Sequence, residues 1–264
     1  MEKRLLKDGT QIKFSEGNHS YYITKSDGKK SRPKSVTGLL KVALEDFNLG
    51  AMAGRKNLRE ALTDYASEIS ENNKYPIHFE ELEEFIEFLK KSNKRGVDKW
   101  SAGAHRGTLV HNYIQDYALG KKPVLDTDLK IARLQKSTVK WFNASVEKVL
   151  SVEKIVYNRA FNYAGKYDLE ATIKGYGRCL VDYKTGSSLS YSVKFPIQLL
   201  AYMECILEEE SGNPFGRLIV FIDRDTGEIT ERFYDKKTYT RDLSIWMAIL
   251  QLASYIDAYK KEWK

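Results

Sequence analysis

The sequence predicts an α/β domain, with a mostly helical N-terminal half wrapped on a sheet that the C-terminal half supplies. Three observations carry this. Residues 50–72, 79–92, 97–118 and 126–149 place apolar side chains at helical spacing. Near residue 152 the pattern changes to three short runs, VEKIVYNRAF, AGKYDLEATI and GRCLVDYKTG, which read as strands. Two helical stretches then alternate with a second hairpin. No repeat or low-complexity linker divides the chain. It reads as a single domain over 1–264, with a hairpin and helical part at 1–150 and the sheet-forming core at 151–264.

The elements follow in order. Residues 10–25 alternate loosely and predict a hairpin around Glu16-Gly17-Asn18. The basic loop SDGKKSRPK follows, and SVTGLLKVAL starts a helix with Ser35 or Thr37 as N-cap. FEELEEFIEFLKKSNKRG places acids early and lysines late, as a helix dipole favours. The second and third core strands join through a turn at Lys174–Gly177. KFPIQLLAYMECILEEE is a helix whose Pro196 is tolerated in the first turn. GRLIVFIDRDTGEITERFY turns at Asp225-Thr226-Gly227, and the last thirty residues form a long amphipathic helix.

With 264 residues, 42% hydrophobic and 30% charged, the chain has the composition of a soluble globular protein. No apolar run reaches membrane-spanning length, so no membrane partner is expected. The N-terminus lacks a signal-peptide core, which reads as cytoplasmic. Two cysteines, Cys179 and Cys205, are too few for a four-thiolate cluster and read as small buried apolar residues. A net charge of +7 favours a polyanionic partner without establishing one.

LVDYKTG, residues 180–186, places Asp182 and Lys184 on one face of a strand. Centring the preceding hairpin near Gly175 pairs Tyr167 with Tyr183, Leu169 with Val181 and Ala171 with Cys179, one apolar face. Asp168 then lies opposite Asp182, a repulsive arrangement. A divalent cation between them reverses the repulsion, and oxygen ligands of this kind suit Mg²⁺ or Mn²⁺. Lys184 could then orient or deprotonate a water, or offset charge on a phosphate. The competing reading is an exposed face on which Lys184 bridges both acids.

Three further features bear on that choice. In RGTLVHNYIQDY, Gly107 and His111 share a helical face, and His111 would complete a His/Asp/Asp set unless it is an ordinary surface or core residue. In QLLAY, Gln198 and Tyr202 share a face of the helix after the hairpin, which ordinary amphipathicity also explains. Gly165, before Asp168, admits close approach by a helix or a nucleic-acid backbone.

Taken in order, Gly107-Thr108-Leu109-Val110-His111, Gly165-Lys166-Tyr167-Asp168, Asp182-Tyr183-Lys184 and Gln198-Leu199-Leu200-Ala201-Tyr202 resemble the PD-(D/E)xK nuclease superfamily, RecB-like exonuclease branch. HSYYITKSDGKKSRPKSVTGLL, residues 19–40, is similar to the N-terminal segment of phage and mitochondrial genome-maintenance exonucleases. The resemblance implies a restriction-endonuclease-like fold, a central mixed sheet flanked by helices. It implies metal ligation by His111, Asp168, Asp182 and the Tyr183 carbonyl, with Lys184 as catalytic lysine and Gln198 and Tyr202 bracing the site and contacting the substrate backbone. Glu153 matches an acidic position often present on the preceding strand. The four cysteines that bind an iron–sulfur cluster in some relatives are missing, so no such cluster is expected.

The implied reaction is Mg²⁺- or Mn²⁺-dependent hydrolysis of DNA, single-stranded or with free ends, in replication, recombination or repair. Lys29, Lys30, Arg32 and Lys34, with Arg106, are candidate phosphate contacts, although the loop reads equally as solubilising. Ser35 and Thr37 at a helix start could bind a phosphate. Two alternatives stay open: a structure-specific or restriction-like endonuclease, and a non-catalytic DNA-binding recombination protein.

Overall fold

The computed structural model describes residues 2–44, 105–186 and 194–262. The helices expected at 50–72, 79–92 and 97–104 lie outside them. The chain divides into two compact units, Met1–Leu44 with Gly107–Lys264, and Glu45–Arg106. The first is described below; of the second, His105 and Arg106 fall within the described residues.

The described N-terminal residues up to Ser35 are β-structure, a four-stranded sheet and one further strand where a single hairpin was expected. β1 (Glu2–Leu5), β2 (Gln11–Ser15), β3 (Ser20–Thr24) and β4 (Lys30–Ser31) form an antiparallel sheet in that order. The β2–β3 hairpin turns through Glu16–Asn18 as expected. β1, reading EKRL, offered no apolar alternation to find. Its pairing with β2 and the hydrogen bonds of Arg4 to Ile155 O and Glu209 hold it in place. Ile12, Phe14, Tyr21 and Ile23 bury one face of this sheet against Ile155, Tyr157 and Ala164.

The central sheet is mixed. β5 (Lys34–Ser35), β6 (Val146–Asn158), β7 (Tyr163–Ile173), β8 (Gly177–Gly186), β9 (Gly216–Asp223) and β10 (Ile229–Tyr234) build it. β8 and β9 run parallel, as do β5 and β7, and the other pairs are antiparallel. Five helices are described: α1 (Val36–Leu44), α2 (105–118), α3 (Leu129–Ser145), α4 (Lys194–Glu210) and α5 (Tyr239–Glu262). Ser35 caps α1, its hydroxyl accepting the Gly38 N–H at 3.0 Å. α3 ends four residues short of the helix expected to reach residue 149. From Val146 onward the chain pairs with β7, with two register shifts, and that pairing prevails over helical periodicity.

The sheet is buried on both faces. Leu180, Ile219, Tyr167 and Tyr163 pack with α1, α4 and α5. Leu169, Ala171, Cys179, Val181, Leu218 and Val220 pack with α2 and α3. β9, GRLIVFID, is accordingly apolar almost throughout. Arg217 at its start is fully buried, donating to Pro196 O, Thr238 Oγ1 and Asp242 Oδ2. It ties β9 to α4 and α5.

The β7–β8 register matches the expectation, with Leu169 opposite Val181 and Ala171 opposite Cys179. The shared face of Tyr167 and Tyr183 does not. Tyr167 packs on the α4 side and Tyr183 on the α2 side. The β7–β8 ladder ends at Leu169/Val181, and side-chain alternation along β7 breaks at Asp168. Glu153 adopts a positive φ of 50° on β6, between the Val152/Leu169 and Lys154/Tyr167 pairs. Leu169 pairs with both Val152 and Val181, and Tyr163 with both Asn158 and Lys34. A strand residue has two edges, so β5 and β8 lie along the same edge of β7. Residues 165–168 are the gap between them.

Candidate metal centre

The gap in the sheet collects the charged residues. His111 on α2, Glu153 on β6 and Asp168 on β7 each offer a ligand atom, and these atoms lie within 4.8 Å of one another. His111 Nε2 is 2.8 Å from Asp168 Oδ2, and its Nδ1 is 3.6 Å from Glu153 Oε1. The second Asp168 contact replaces the ladder: its Oδ2 accepts the Tyr183 N–H at 3.0 Å where the strands part. Lys166 Nζ is 2.8 Å from Glu153 Oε2.

Asp182 and Lys184 adjoin this group. Lys184 Nζ lies 2.7 Å from Asp182 Oδ2 and 2.9 Å from its Oδ1. Asp182 is therefore paired with Lys184 and does not stand in the tight His111–Glu153–Asp168 cluster. Sequence reasoning placed Asp182 there and assigned Glu153 the lesser part. From Ser151 to Asn158 the β6–β7 pairs hold one register, and that register sets Glu153 beside Asp168.

Electrostatic coupling runs through all five groups. Burial opposes the charged His111, but Asp168, Glu153 and Asp182 outweigh it and hold its pKa up at about 9. Burial and the nearby Asp168 charge raise Asp182 to about 6 against the pull of Lys184. Burial likewise works against Asp168, yet His111, Lys184 and the Tyr183 N–H keep it below the usual carboxylate range. Glu153 is pushed up by burial, and Lys184 is raised by Asp182 and Asp168 despite burial.

The residues present fit a divalent cation. Glu153 Oε1 and Asp182 Oδ2 are buried acceptors without a hydrogen bond; each faces a cation only as an ion pair, His111 Nδ1 at 3.6 Å and Lys184 Nζ at 2.7 Å. Buried carboxylate oxygens short of hydrogen bonds are costly, and a metal ion satisfies them. One imidazole with two or three carboxylates is a donor set for Mn²⁺ or Mg²⁺. His111, Lys166 and Lys184 bring opposing charge to these acids.

The remaining candidates fall as follows. Gln198 Nε2 donates to Tyr202 Oη at 3.0 Å on α4. Gly165 is where Tyr202 comes close: a Cβ there would lie 2.2 Å from the tyrosine ring. The Tyr183 ring is buried edge-to-face against Trp141 and His111. A Cβ added at Gly107 would meet nothing within 4 Å among the described residues; Gly107 lines a cleft of about 230 Å³ with His111, Tyr183 and Lys184. Ser35 is engaged in its helix cap and meets Thr37 Oγ1 at 3.3 Å. Among the described residues no hydrogen bond joins Ser35 or Thr37 to the acid–histidine group. Arg106 belongs to the other compact unit. In the basic loop, Lys29 pairs with Asp27 and Lys34 with Asp257.

No family model matches the chain, and no curated protein matches it. Among solved structures the chain is similar to a candidate exonuclease from Eubacterium rectale, with TM-score 0.39 and 14% identity over 56% of this chain and 67% of that one. It is similar to the protein SSO0001 with TM-score 0.29 and 14% identity over 76% of this chain and 86% of that one. Likenesses this distant carry no argument about fold or function, which rest on the geometry above.

Proposed function

We propose that this chain is a metal-dependent DNA exonuclease of the PD-(D/E)xK type, acting on single strands with free ends in replication, recombination or repair. The observation that carries the reading is the convergence of His111, Glu153 and Asp168 at a gap in the sheet, with the Asp182–Lys184 pair beside them. In this reading residues 1–264 act as a single nuclease domain.

His111, Asp168 and Asp182 would hold Mg²⁺ or Mn²⁺, with Glu153 completing the acidic wall and the Tyr183 carbonyl as a further donor. Such an ion, when bound, polarises a phosphoryl oxygen and makes its water more acidic. Lys184 acts as a cation: Asp182 and Asp168 raise its pKa, so it holds its proton and offsets charge that builds on the phosphate. Tyr202, seated on Gly165 and fixed by Gln198, braces the strand that carries Asp168. Arg106, Ser35 and Thr37 keep the role of backbone contacts in this reading.

End-labelled linear and closed circular single strands, incubated with Mg²⁺, Mn²⁺ or EDTA, test it. The linear strand is degraded from an end in either metal, and the circle stays intact. Cleavage of the circle would make the protein an endonuclease; binding without cleavage in any metal would make it a non-catalytic DNA-binding protein.

A further inference from the structure

The outward face of the N-terminal sheet is free of the core that its other face forms. Lys3 pairs with Lys13, and Lys13 with Tyr22, giving one cross-strand row on this face. Leu5, Gln11, Thr24 and Lys30 make the next row. None of these strand positions carries an acid. Lys3 directly opposite Lys13 is a repulsive pair, and among the described residues no acid forms an ion pair with either. Such an arrangement is relieved by an anion, just as opposed carboxylates are relieved by a cation.

The same face presents a ring. Tyr22 is 36% exposed, and the Arg32 guanidinium lies 5.6 Å from its centroid, steadied by a 2.6 Å hydrogen bond to Ser20 Oγ. Lys13, Tyr22, Thr24, Lys30 and Arg32 border a hollow of about 500 Å³. A ligand that matches both features is a polyanion that carries flat rings. A duplex keeps its rings stacked inside, and a phospholipid surface has none. A single strand offers phosphates and unstacked bases together.

We propose that this face is a second nucleic-acid site. It binds a single strand on the far side of the N-terminal sheet from β6, with Lys3, Lys13, Lys30 and Arg32 taking phosphates and Tyr22 taking a base. It deepens the nuclease reading and rests on that reading only for preferring a nucleic acid over other ring-bearing polyanions.

Anisotropy of a fluorescently labelled oligothymidylate, titrated with the full chain in EDTA over a range of salt, tests it. The variants are Lys3→Ala/Lys13→Ala, Tyr22→Leu and Tyr22→Phe, with circular dichroism as the check on folding. The double lysine variant binds about tenfold more weakly, and its salt slope falls by about 1.4, near 0.7 for each phosphate that no longer meets a lysine. Tyr22→Leu loses about tenfold, and Tyr22→Phe, which keeps the ring, binds as the wild type. Hydrolysis of a thymidine p-nitrophenyl phosphodiester in Mn²⁺, too short to reach this face, is the same in all four proteins. If the wild type hydrolyses nothing but the binding pattern holds, the nuclease reading fails and this site stands. An unchanged affinity and salt slope in the double variant overturns the proposal. So does wild-type binding by Tyr22→Leu, or a preference for phosphatidylserine vesicles over the oligonucleotide.

Discussion

At the scale of single residues, Gly165 and His111 decide most. Gly165 admits the Tyr202 ring, and an added Cβ would meet it at 2.2 Å and Val36 at 3.3 Å. Gly165→Ala should therefore destabilise the fold by about 1–3 kcal/mol, read from urea denaturation, because a packed ring must move. Burial opposes the protonated His111, but the carboxylates around it outweigh burial, so its pKa rises from 6.5 to about 9 on folding. A raised folded value stabilises fully below the unfolded pKa, and that contribution is lost as pH rises through the folded one. Thermal unfolding in EDTA should show stability falling between pH 6.5 and about 9 in the wild type, with a flatter profile in Asp168→Asn. Mn²⁺ must displace the same proton, so its affinity should rise over that window, measured by calorimetric titration. The convergence of His111, Asp168, Asp182 and Lys184 was legible in the sequence, because strand alternation and helical spacing place them together. The close partnership of Glu153 was not, because it depends on a positive φ at a residue that gives no local sign of one.

At the scale of elements, strands with one apolar face were readable and those held by tertiary contacts were not. β8 and α4 match the expected bounds, and the β7–β8 register follows from apolar alternation. β1 alternates charge with charge, and its order comes from β2 and from Arg4. The start of β6 kept a helical period until β7 claimed it. Arg217 was also hidden: in sequence it is one charge beside an apolar run, yet it is wholly buried against Asp242. Removing one partner of a buried pair leaves the other charge without compensation. Asp242→Ala should cost about 3–5 kcal/mol in chemical denaturation, far more than a surface change on α5. Lys166 links two elements, meeting Glu153 at 2.8 Å and Glu2 of β1 at 3.4 Å, so the N-terminal sheet abuts the acid–histidine cluster.

At the scale of the whole molecule, the helices described on both faces of the mixed sheet leave an opening at residues 165–168, between β5 and β8 on one edge of β7. An α/β architecture and a charged cluster at the end of the β7–β8 hairpin were both legible. The antiparallel sheet at the N-terminus was only partly so, since one of its hairpins could be read and its outer strands could not. The central claim is that the acids at the opening hold a divalent cation for phosphodiester hydrolysis. Its most direct test is the release of labelled nucleotides from linear single-stranded DNA in Mn²⁺, for the wild type and Asp182→Ala. The account predicts digestion by the wild type, none in EDTA, and none by Asp182→Ala although that variant still binds the strand. Digestion that survives EDTA or the Asp182→Ala substitution would contradict it.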